Sequence, residues 1–207
     1  MNNPYQESEE VSVQAAAPNL IQRVIAVFAS PSQLGERLRQ NSPWFVTLSI
    51  VALISVVMML IMPVELIEKA AEAQMAAQGR EGPVPGAALL RAFGIGGILV
   101  GSFGGAALIA GVLYLIFNVI FGQSDTTYRQ HLSAVAHVFW ISLLGGLIVI
   151  PLQVSKGDLE IRLGLGLLLR DEPSSVLGYF LTNVTIFGLW AAASLGAVET
   201  GLSGGRV

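Results

Sequence analysis

Residues 44–62 read WFVTLSIVALISVVMMLIM, nineteen positions without a charged side chain. At about 1.5 Å per residue this run makes about 28 Å of α-helix, close to the ~30 Å hydrocarbon core of a bilayer. Pro43 and Pro63 bracket it, and proline is tolerated at the first turn of a helix but stops one that would have to run through it. Trp44 stands where an aromatic ring meets the headgroups. The run is therefore a membrane span, and three further apolar runs extend the reading. Residues 92–121 carry seven glycines and no charge, residues 132–154 contain His137 and Pro151, and residues 175–198 contain Thr182, Asn183 and Thr185. Each is long enough to cross. The shorter apolar piece at 163–169 is not, and is expected to be interfacial or re-entrant.

Composition agrees. Hydrophobic residues make up 53% of the 207 and charged residues 12%, about half the charged share of a soluble domain. A chain this short cannot bury so much apolar surface in one water-soluble core, and disorder requires the opposite composition. The net charge of −3 gives no footing for nucleic acid. There is no cysteine, which removes disulfides, thiolate metal sites and cysteine nucleophiles.

The resulting fold class is all-α, a polytopic transmembrane bundle of four spans with an amphipathic interfacial helix ahead of the first. Residues 1–18, with Glu7, Glu9 and Glu10 and no basic residue, read as a disordered acidic lead-in rather than a signal peptide. Residues 19–42 read as the interfacial helix and a basic linker, because Leu20, Ile21, Val24, Ile25 and Phe28 recur at helical spacing before Ser30-Pro31 interrupts them. Residues 43–207 form the transmembrane domain. Four spans put both termini on one side, with Arg23, Arg37, Arg39, Arg129 and Arg206, against Lys69, Arg80, Arg91, Lys156, Arg162 and Arg170 on the other. Arg37 and Arg39 lie just before the first span and favour a cytoplasmic N-terminus.

Three groups of residues are candidate sites. Gly97, Gly101 and Gly105 share a helix face where another helix approaches closely, either a span of the same chain or a second copy. Asn118, His137 and Asn183 are polar groups inside spans, with Asn183 in reach of Asn118 or His137 across the bundle. Asp125, Tyr128 and Arg129 gather charge and an aromatic ring at a span end, either docking a cytoplasmic partner or anchoring the span. His131 is six residues from His137 and so on a different face. No catalytic set, cofactor motif or metal-ligand spacing occurs: HExxH, GxSxG and the P-loop are all absent, and no span holds a carboxylate.

The opening IQRVIAVFASPSQLGERLRQNSPWFVTLSIVALISVV resembles that of bacterial members of the Yip family, the Ypt/Rab-interacting membrane proteins. YLIFNVIFGQSDTTYRQHLSAVAHVFWISLLGGLIVIP and SSVLGYFLTNVTIFGLWAAASLGAVETGLSG are similar to the later part of that family. The resemblance covers about residues 20–205. It implies a non-enzymatic integral membrane protein that binds proteins or organises membrane, as eukaryotic relatives do in traffic between endoplasmic reticulum and Golgi. Family members usually have a fifth span, entered from a sequence like the GLSGGRV that ends this chain; either that span is missing or this is a four-span member. Its expected place is the inner membrane of a bacterium, in contact with lipid and with a protein partner or further copies of itself. The alternatives are an accessory subunit of a larger membrane complex and a small transporter or channel lined by Asn118, His137 and Asn183.

Overall fold

The computed structural model describes residues 18–122, 125–159, 161, 163–168 and 175–205. All of the acidic lead-in except Pro18 lies outside them. Among the described residues every regular element is a helix, apart from one isolated antiparallel bridge.

Helix α1 (Leu20–Ala29) starts from a reciprocal cap: Asn19 Oδ1 accepts from the Gln22 amide at 2.9 Å, and Gln22 Oε1 accepts from the Asn19 amide at 3.0 Å. Pro31 opens α2 (Pro31–Gln40), where its lack of an N–H costs nothing. The helices α3 (Trp44–Ile61) and α4 (Val64–Ala77) follow, and Gly79, at φ 65°, ends the second of them. Helix α5 (Ala87–Tyr114) widens into a π-turn over Leu115–Ile120. Helix α6 (Tyr128–Lys156) passes through Pro151 and stops at Gly157, φ 68°. A 3₁₀ turn (Leu165–Leu168), α7 (Val176–Asn183) and α8 (Ile186–Leu202) complete the chain.

Three helices are long and apolar enough to cross a membrane: α3, α5 with its π-turn, and α6. With the shorter apolar helices they make a helical membrane bundle. The run expected as one continuous helix over 175–198 is instead divided. Val184 is extended, and Thr185 starts α8 by accepting from the Gly188 amide at 2.9 Å. The backbone freed by the break is not wasted, since the Leu165 amide donates to Val184 O at 2.9 Å and the Ile186 amide to Leu163 O at 3.0 Å. The apolar piece at 163–168 thus folds back onto the break, supplying partners that unpaired backbone needs in lipid.

The interior is layered. Leu48, Ala106, Ala110, Val135 and Ala136 join α3, α5 and α6, while Val27, Leu34, Leu38, Ala134, Ile141, Val198 and Leu202 join α1, α2, α6 and α8. Helix α1 is packed through Ala26 and Val27 and leaves Ile21 and Ile25 exposed on its outer face. Helix α2 lies directly on α8. A Cβ added at Gly35 would overlap the Val198 carbonyl oxygen, and one at Gly201 would overlap the Ser32 carbonyl oxygen. Only glycine allows two backbones so close.

Candidate functional site

The buried polar side chains gather in the half of the bundle nearest α2. At its centre is His131, on the second turn of α6. Its Nδ1 lies 2.8 Å from Glu199 Oε2 on α8, and its Nε2 lies 3.1 Å from Thr126 Oγ1 in the loop before α6. Asn118 on the π-turn donates from Nδ2 to Thr126 Oγ1 at 3.0 Å and to Tyr114 O at 3.2 Å. Phe117 stacks on the imidazole at 5.6 Å, and Tyr114 meets its edge at 6.2 Å. Donors and acceptors line up in one direction. Asn118 donates to the Thr126 hydroxyl, and a neutral His131 with its proton on Nδ1 would continue the chain, accepting from Thr126 at Nε2 and donating to Glu199, a tautomer assigned from the bond pattern. Glu199 Oε1 is buried without a partner among the described residues.

The sequence hydroxyl, imidazole, carboxylate is that of a nucleophile with its base and the group that orients the base. Here Thr126 is 5% exposed, His131 0% and Glu199 2%, so the hydroxyl faces no solute in this conformation. What the chain of bonds does is tie the π-turn, α6 and α8 together at one end of the bundle.

His137 is a separate site two turns along α6. Its Nδ1 donates to Ser133 O at 2.7 Å, and its Nε2 lies 3.3 Å from Thr47 Oγ1 on α3. Asn118 and His137 have the partners just described, and Asn183 is exposed at the end of α7, beside the break. Among the described residues no span packs on Gly97, Gly101 or Gly105. A Cβ at any of the three meets nothing within 4 Å. The glycines that seat helix on helix are Gly35 and Gly201.

Asp125, Tyr128 and Arg129 are exposed. Tyr128 donates from its hydroxyl to Ala107 O at 3.1 Å, and Arg129 donates from Nε to Ser42 O at 3.4 Å. Gln130 adds a bond from Nε2 to Arg39 O at 2.9 Å. The start of α6 is thus bolted to α5, to the end of α2 and to the linker between α2 and α3.

Sequence reasoning missed Thr126 and Glu199 of this network, and Glu199 had a signal of its own. It falls one position beyond the expected fourth span, in an otherwise uncharged stretch, AAASLGAVETGL. An isolated acid in an apolar helix is itself the signal that could have found it.

The Yip1 domain model matches residues 25–203. The chain belongs to the Yip1 domain family. No curated protein and no solved structure matches it. The Yip1 domain so delimited begins inside α1 and ends just past α8, so it contains both sides of the α2–α8 contact and all four members of the His131 network.

Proposed function

We propose that this Yip1 domain protein is non-enzymatic and works by binding other proteins, or further copies of itself, within the membrane it organises. Its place is a bacterial cytoplasmic membrane, with the α1–α2 end in the cytoplasm, the side that Arg37 and Arg39 just ahead of the first span favour. The observation that carries the reading is the bareness of α5. With its π-turn it runs 34 residues, yet only 17% of its most apolar window is buried in the chain, and its glycines at 97, 101 and 105 open outward. In lipid, helices associate through close packing of small residues, so this face is built for a helix the chain does not supply.

Tagging the protein, extracting it in mild detergent and identifying what co-purifies tests the reading. A stoichiometric partner, or a second copy, should be retained by the wild type. Gly101→Ile should weaken that retention about tenfold, the effect of losing ~1.4 kcal/mol of packing. A strictly monomeric wild type without partners, or full retention by Gly101→Ile, would overturn it.

A further inference from the structure

Two cavities adjoin on α6. One, of about 380 Å³, lies between α3, α5 and α6. The other, of about 260 Å³, lies between α6, the start of α8 and the stretch that carries Ile161 and Leu163. Ser142 and Gly146 stand in the walls of both, so the two form one hollow inside the bundle. We propose that this hollow binds an uncharged single-chain lipid, its hydrocarbon chain between α3, α5 and α6 and its hydroxyl or carbonyl head at Gln153 and Thr185. The site concerns a small ligand and stands apart from the reading of α5 as a face for other proteins.

The larger cavity is built to take a chain. Three of the five methionines in the sequence, Met58, Met59 and Met62, line it. Methionine is unbranched and flexible, and adapts to a guest where leucine or isoleucine holds one shape. Met59 also closes the wall between α3 and α5: a Cβ added at Gly94 would overlap its terminal methyl. That wall is therefore the mobile end of a side chain rather than backbone. Ile98, Phe139 and Ile150 complete the apolar lining. Ser55 and Ser102 add hydroxyls, and that of Ser55 is spent on Val51 O at 2.9 Å. On α3 the cavity runs from Val51 to Met62, about 16 Å at the rise of a helix, which is long enough for a hydrocarbon chain.

The smaller cavity offers a donor and an acceptor but no charge. Gln153 spends its Nε2 on Leu159 O at 2.9 Å and Ile161 O at 3.0 Å. Those two carbonyls fix the amide and leave Oε1 to accept. Thr185 Oγ1 accepts from the Gly188 amide at 2.9 Å, which leaves its O–H to donate. Such a pair suits one hydroxyl or carbonyl group. Among the described residues no side chain lining either cavity is charged, so an ionic head would lie there unpaired. The start of α8 does not compensate, because the Ile186 amide is given to Leu163 O at 3.0 Å and the Gly188 amide to Thr185. A mostly apolar hollow between helices with a few fixed polar groups is the usual form of a small-ligand site.

The test is photolabelling. Monooleoylglycerol with a diazirine in its chain is irradiated with the protein in phosphatidylcholine vesicles, and mass spectrometry of the digest locates the adducts. Leu53 and Leu108 face outward and serve as the internal comparison. Met58, Met59, Met62 and Ile150 should be labelled about tenfold more than these two. Unlabelled monooleoylglycerol should remove the cavity adducts, whereas oleate and hexadecane at the same mole fraction should not. Gly146→Leu puts a side chain into the shared wall, against the yielding end of Met58, and should cut the cavity adducts about tenfold while sparing those at Leu53 and Leu108. Even labelling of the cavity and the outer faces, or cavity adducts that survive competition, would overturn the proposal. Equal competition by oleate would overturn the uncharged head, and equal competition by hexadecane would overturn the need for any head. If Gly146→Leu fails to fold, competition on the wild type decides alone.

Discussion

Gly35→Ala lowers the stability of the folded protein by about 3 kcal/mol, whereas Gly101→Ala leaves it unchanged or raises it by up to about 1 kcal/mol. The two substitutions are chemically identical and both fall within helices, where alanine is intrinsically the better residue. Surroundings reverse the sign at Gly35. The new methyl collides with the Val198 carbonyl and the Leu202 amide, and these are backbone atoms of α8 that cannot swing aside like the end of a side chain. Relief requires α2 to lift from α8, which uncovers Leu34 and Leu38, both fully buried. At Gly101 the methyl enters open space. Denaturation midpoints in a mild detergent compare the two, and similar midpoints for both variants would show that the α2–α8 contact is not tight. Gly201→Ala, which meets the Ser32 carbonyl from the other side, should reproduce the Gly35 result.

His131→Leu costs about 3–5 kcal/mol, the loss expected when one partner of a buried pair is removed and the other is left behind. The remaining Glu199 carboxyl is buried, loses the contact of Oε2 with Nδ1 at 2.8 Å, and already has Oε1 unmatched. Thr126 loses its ring partner in the same step. The double variant His131→Leu/Glu199→Leu should recover most of the loss, because two apolar groups of similar volume need no solvation. The cycle of wild type, both single variants and the double variant measures the coupling. Additive losses, or a cost below about 1 kcal/mol for His131→Leu, would show that the pair carries no such energy.

The three long spans were legible in the sequence because they depend on a property each run carries by itself: an uncharged length, between prolines for α3 and ahead of a polar turn for α5. The division of the last run was not legible. Val184 and Thr185 are apolar or neutral and pass for helix interior, but both are extended where Thr185 bridges to Gly164, a contact between separate stretches. The site divided in the same way. Asn118 stood out as an amide within a span, but its meaning depends on Thr126, on His131 and on Glu199, the last 68 positions from the histidine it meets. No local spacing encodes that meeting. The glycines show the limit most plainly. The series at 97, 101 and 105 is regular and shows by its period, while Gly35, alone in SQLGERL, has no local pattern and is where two backbones meet.

The α2–α8 contact also sets an order of events during biosynthesis. Helix α2 ends at Gln40 and α8 begins at Ile186. At about 5–20 residues per second, a ribosome needs on the order of ten seconds or more to travel from one to the other. For that interval the buried face of α2 has no partner in α8, and the earlier spans enter the bilayer with the α2 end of the bundle still open. Closure of this contact waits for α8, and a nascent chain halted before it would keep Leu34, Gly35 and Leu38 on offer to whatever chaperone or quality-control protease waits at the membrane surface.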